Sequence, residues 1–217
     1  MTTKNKVKEI SSFLDEVFPN VGCELNYNKD YELVIAVMLS AQTTDVSVNK
    51  VTPILFDRYK TLEELANASL FDVEQIIHSI GLYKNKAKNV IAIAKTLVEN
   101  YGGVVPHDKN ELQKLPGVGN KTAGVIRAEI FRIPDLPVDT HILRISKRLG
   151  LIDSEADPLK TEIKLKSLFP ESDWIKLHHQ LIHFGRYMCT ARSPQCEKCK
   201  LYPSLLQSQP YRSSAPS

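Results

Sequence analysis

Apolar residues recur at spacings of three and four along most of the chain, the period of helices with one buried face. Val7, Ile10, Phe13, Leu14, Val17 and Phe18 form one such stripe, stopped by Pro19. A second helix is predicted to open near Asp30. Its run from Leu33 to Leu39 is apolar throughout, which implies burial on all sides and marks it as the core of its domain. Thr61 with Glu64 has capping-box spacing, and Ser69 with Asp72 repeats it with a shorter acid. Ala87, Val90, Ile91, Ala94, Leu97, Val98 and Tyr101 trace another stripe, closed by Gly102 and Gly103.

Two further helical patterns, Asp108 to Leu115 and Lys121 to Phe131, flank a short glycine-bearing connection, and Pro134 and Pro137 bracket a connector. Asp139 precedes a helix to Leu149 closed by Gly150, Asp157-Pro158 is a cap with proline at the first helical position, and a helix runs from Trp174 to Phe184. No alternating stretch of convincing length interrupts these patterns, so the fold class is all-α.

The 217 residues suffice for one large domain or two small ones, and 42% hydrophobic with 24% charged positions excludes collagen, coiled-coil fibre and wholly disordered chains. The longest apolar run, Leu33 to Leu39, is far short of the roughly 18 residues of a membrane span. The lysine-bearing start leads into no long apolar stretch, so no secretory signal is expected and the protein should stay inside the cell, in a bacterial cytoplasm. From Pro203 onward serine and proline dominate, a composition that suits a mobile tail.

Net charge is only +3, but its distribution is uneven. Lys114, Lys121, Arg127, Arg132, Arg144, Lys147 and Arg148 crowd one stretch, and Lys176 to Lys200 is a second basic stretch. Folded onto one side they would attract phosphates; dispersed, they are solvated helix faces.

Leu115-Pro116-Gly117-Val118-Gly119-Asn120-Lys121-Thr122-Ala123 is where the chemistry concentrates. Glycines there allow close approach of the backbone to a ligand, and the following helix start offers free N–H groups and a favourable dipole to an anion. An ordinary helical hairpin turned by glycines is the alternative; the Walker spacing is missing. Lys121 falls in the first helical turn, where the dipole disfavours an ammonium and makes the neutral amine more accessible as a Schiff-base nucleophile. Asp139 caps a helix that could face the same cleft.

These segments, with Leu39-Ser40-Ala41-Gln42-Thr43-Thr44-Asp45, Ile80-Gly81-Leu82-Tyr83, Val138-Asp139-Thr140-His141 and the spaced cysteines, resemble the endonuclease III family of the helix-hairpin-helix superfamily, from about Phe13 to Cys199. The resemblance implies a two-lobed protein with a central cleft. Residues 22–133 would form the central helical domain, 1–21 with 134–188 the second lobe, 189–205 a cysteine loop and 206–217 the tail. It implies a monomeric base-excision-repair DNA glycosylase and AP lyase that acts on oxidised pyrimidines or abasic sites in damaged double-stranded DNA and touches no membrane. Lys121 would be the nucleophile and Asp139 the carboxylate that assists it. Gln42 and Leu82 would fill the space left by an everted nucleotide, Gly117, Val118 and Gly119 would hold a phosphate, and Asp45 and His141 would lie near the DNA.

The resemblance also implies a [4Fe-4S] cluster held by four cysteines. Cys189, Cys196 and Cys199 match three of them, but the fourth position is Leu205, which leaves one iron without its thiolate. Tyr202, Ser204, His183 or solvent could substitute, or a three-iron cluster, a zinc site or an empty loop could stand there. Cys23 stands apart as small packing. Gly124 departs from the family pattern and costs its helix about 1 kcal/mol relative to alanine. An adenine-mismatch glycosylase would lack Lys121 and carry a glutamate in place of Ala36. A non-catalytic helix-hairpin-helix DNA-binding protein would not need Lys121.

Overall fold

Helix α2 (Asp30–Leu39) shows how the apolar pattern becomes structure: every residue from Tyr31 to Leu39 is buried. At its start the Glu32 carboxylate accepts from the amides of Asn28 and Lys29, which occupies helix-end donors that would otherwise be unpaired. The structure, a computed structural model, describes residues 2–201. Leu205, Tyr202, Ser204 and the tail expected to be mobile lie outside the described residues.

The remaining helices are α1 (Thr3–Val17), α3 (Asp45–Arg58), α4 (Leu62–Ala66), α5 (Leu70–Ile77), α6 (Tyr83–Tyr101), α7 (Lys109–Gln113), α8 (Asn120–Phe131), α9 (Thr140–Arg148), α10 (Pro158–Leu168) and α11 (Trp174–His183). No strand occurs among the described residues, and the fold is all-α as the periodicity predicts. Thr61 and Glu64 form their capping box at α4, and Asp157 accepts from the Lys160 amide at α10. Ser69 makes no side-chain cap at α5. Its expected partner Asp72 is held elsewhere: the carboxylate accepts from Arg58 Nε at 3.2 Å and from the Tyr59 hydroxyl at 2.9 Å, both on or beside α3.

The chain divides into two units, each with its own apolar core. One is continuous, Cys23–Ile133; in it α2 lies against α3, α6 and α8. Half-buried Cys23 packs against this core. The other joins Met1–Gly22 to the chain from Pro134 onward. Ile10, Phe13 and Leu14 of α1 share its core with Leu177, Leu181 and Phe184, and Gln180 Nε2 donates to Asp15 Oδ1 at 2.8 Å.

The predicted Trp174 to Phe184 helix does not end there. After α11 the backbone widens into a π-helical turn, Phe184–Met188, in which the Cys189 amide donates to the Phe184 carbonyl at 2.7 Å. Such turns are rare and recur at functional sites, and apolar spacing does not signal them.

Candidate active site and nucleic-acid interface

The hairpin is built by α7, α8 and the turn between them. Asp108 caps α7 by accepting from the amides of Asn110 and Glu111, and the Val118 amide donates to the Leu115 carbonyl at 3.0 Å, which tightens the turn. Gly117 has φ +78, and a Cβ there would lie 2.6 Å from Asn89 Nδ2 and 3.1 Å from Met38 Cγ. The left-handed backbone therefore favours glycine at 117, and any Cβ would also require the Asn89 and Met38 side chains to shift. Gly119 does not share that requirement: its φ of −91 with ψ −177 is open to any residue, and nothing lies within 4 Å of an added Cβ. Val118 is buried, so its side chain serves the core while its amide closes the turn.

Helix α8 starts at Asn120, with Gly119 as its cap residue and no side chain bonded to its first amides. Lys121 stands in that first turn, as its place in the sequence predicts, and its side chain is exposed. Gly124 is buried within α8.

In the same unit, two other expected contact residues sit on strained backbone. Gln42 has φ +55 and Leu82 φ +60, a left-handed conformation unfavourable for any residue with a Cβ. Leu82 caps α6 and is 61% exposed, an apolar side chain turned out to solvent. The two segments adjoin, because a Cβ built at Gly81 would lie 4.0 Å from the Gln42 carbonyl oxygen. Asp45 begins α3, whose cap is the Thr44 side chain.

The other unit carries Asp139 and His141. Asp139 is half-buried and caps α9, with Oδ1 accepting from the Ile142 amide at 2.8 Å. Burial holds the His141 imidazole below its ordinary range, opposed by the Asp139 charge and reinforced by Arg144 and Arg186. The ring is therefore neutral near pH 7.

Two arginines of the first basic stretch organise the cysteine loop, a role their sequence positions do not signal. Arg144 Nη2 donates to the carbonyls of Gly185 (2.8 Å) and Cys189 (3.1 Å). Arg148 donates to Thr190 O at 2.7 Å, Ala191 O at 3.1 Å and Cys189 Sγ at 3.2 Å. Rigid guanidinium forks suit several fixed acceptors at once.

The approach of α9 to the π turn depends on Gly185, where a Cβ would lie 2.8 Å from His141 Cβ and 2.9 Å from Ile145 Cδ1. Gly185→Ala is expected to lower stability by about 1–3 kcal/mol through overpacking, read as the urea midpoint at unchanged slope.

The cysteine set does not fit a cluster with four thiolates. Position 205 is leucine, and among the described residues no group of three or more His, Cys, Asp or Glu side chains is arranged to hold a metal ion. Burial pushes the Cys196 thiol up, with Cys189 adding to it. The His183 ring, considered as a substitute ligand, lies against Phe18 and Tyr187.

Comparison with known proteins places this arrangement. Residues 35–171 match the HhH-GPD superfamily base excision DNA repair protein profile. Endonuclease III of Bacillus subtilis is 48% identical over 90% of both chains, and that of Escherichia coli 42% identical over 90% of this chain and 93% of its own. A solved non-covalent endonuclease III-DNA complex superposes with a TM-score of 0.90 at 45% identity, covering 94% of this chain and 95% of the other. A trapped endonuclease III-DNA covalent intermediate gives 0.88 at 45% identity, covering 93% and 94%. The fold and hairpin are thus those of a base-excision DNA repair protein. Within that class, the chain belongs to the endonuclease III family. It is a DNA glycosylase and abasic-site lyase.

Proposed function

We propose that this protein removes oxidised pyrimidines from duplex DNA and then cleaves the strand, with Lys121 as nucleophile and Asp139 as its assisting carboxylate. The observation that carries the reading is Lys121 itself, an exposed amine in the uncapped first turn of α8, directly after the glycine turn. Its nitrogen lone pair attacks C1′ of the damaged nucleotide. The C1′ to base bond breaks, and the base leaves with the electron pair and takes up a proton. Opening of the sugar ring gives an imine between Lys121 and C1′. Loss of a C2′ proton then expels the 3′ phosphate oxygen, and water releases an unsaturated aldehyde and regenerates the amine.

Asp139 supplies a fixed negative charge to the cationic sugar that develops as the base departs, a role that preorganised groups fill without reorganisation. The amides around Gly117 and Gly119, with the first turn of α8, hold a backbone phosphate and so position the duplex without reading its sequence. Gln42 and Leu82 fill the stack vacated by the everted nucleotide, and Asp45 and His141 each lie near the DNA. No step passes through a cluster or metal. The similarity to endonuclease III solved in complex with DNA supports DNA as the partner.

A duplex with one ring-oxidised pyrimidine tests the reading: free base and a strand break on the 3′ side of the lesion are expected together. Base release without cleavage would overturn the lyase half, and no release the whole. Binding to undamaged duplex is expected to weaken steeply with salt, each neutralised phosphate adding about 0.9 to the slope of log affinity against log salt. A flat salt titration would defeat the phosphate-holding role.

A further inference from the structure

Lys86 is a lysine where the core should be. It lies on α6 in phase with Val90, Ile93 and Leu97, only 5% exposed, and burial lowers its pKa below the ordinary lysine range. An ammonium loses far more on leaving water than a hydrocarbon side chain does, so pure packing would be served better by leucine or methionine.

Two bonds give the position its sense. The Lys86 amide donates to the Leu82 carbonyl at 3.1 Å, closing the first turn of α6 on that residue. Its ammonium reaches in the other direction and donates to Thr43 Oγ1 at 2.6 Å. Thr43 follows Gln42, and its hydroxyl in turn faces the Ala41 carbonyl at 3.5 Å, on the other side of Gln42. One residue is thereby fastened to both segments that carry left-handed, non-glycine backbone, at Gln42 and at Leu82. Conformations of that kind are strained and persist only where their surroundings hold them.

We propose that Lys86 is a positioning residue that fixes the Gln42 loop and Leu82 in register, so that both side chains enter the DNA stack together. The inference rests on the reading of Gln42 and Leu82 as the residues that fill the vacated space. It adds what keeps them there. The ammonium touches neither the sugar nor the base; it acts through Thr43.

The test compares excision of a ring-oxidised pyrimidine from duplex DNA with lyase cleavage of a single-stranded abasic oligonucleotide, where no stack has to be opened. Lys86→Met, which keeps the stem and removes the charge, is expected to slow the duplex reaction about tenfold, the scale on which displaced positioning groups act. The single-strand reaction should stay unchanged. Lys86→Arg should restore part of the loss. Thr43→Val, which removes the acceptor from the loop side, should reproduce it and Thr43→Ser should not, which keeps the test decisive if Lys86→Met fails to fold.

Equal slowing on both substrates would reduce Lys86 to a structural role and overturn the proposal, as would full duplex activity in Lys86→Met and Thr43→Val. Gln42→Ala and Leu82→Ala separate the two levels. If they slow duplex excision while Lys86→Met and Thr43→Val do not, only the positioning role fails; if they leave it unchanged, the space-filling reading has failed.

Discussion

Lys121→Ala is expected to abolish the covalent adduct that borohydride traps between the wild-type protein and abasic duplex DNA. The imine needs a nitrogen on C1′, and loss of a nucleophile lowers turnover by about a thousandfold or more. Lys121 is exposed on the helix surface, so its truncation removes no core contact and the variant should melt with the wild type. DNA binding should persist, because the hairpin amides remain. An adduct of undiminished yield in Lys121→Ala would assign the chemistry to another amine. No adduct in the wild-type protein would remove the lyase step altogether.

Asp139→Asn should separate two functions of one side chain. Asparagine keeps an oxygen for the Ile142 amide, so the cap on α9 survives and the melting temperature should move by no more than a few degrees. The negative charge is lost, and base excision is expected to slow by about 10²–10³-fold, the scale of deleting one preorganised electrostatic contact. Asp139→Ala should show the same kinetic loss with about 1 kcal/mol of lost stability in addition. Full activity in Asp139→Asn would leave the residue as a cap and nothing more.

The features legible in the sequence were those set by near neighbours. The apolar run of α2, the capping box of Thr61 with Glu64, the cap at Asp139 and the stop at Gly102 each depend on residues within a few positions, and each appears in the structure. Ser69 with Asp72 has the right spacing too, yet Arg58 and Tyr59 claim the carboxylate from outside the segment. The spacing of Gly117 and Gly119 marks the hairpin, but only the folded backbone, with φ +78 at the first and extended geometry at the second, reveals that the first calls for glycine and the second does not.

Lys86 had a local signal, since it shares a helical face with Val90, Ile93 and Leu97. Lysine on that face reads as solvated charge until Thr43, 43 positions away, is seen to receive it. Arg144 and Arg148 likewise read as charge from sequence, because their acceptors on the cysteine loop lie more than 40 positions on.

The pairing of α1 with α11 sets a schedule for synthesis. Cys23–Ile133 is continuous and can close as soon as it has left the ribosome. The apolar face of α1 is made before that unit, whereas its core partners Leu177, Leu181 and Phe184 are made after it. While Cys23–Ile133 is made that face has no core partner, and charged residues such as Lys4, Lys6 and Lys8 help keep nascent α1 from sticking to other chains. A chain cut within α11 would therefore leave α1 without residues it packs against, although the cut lies far from it in sequence.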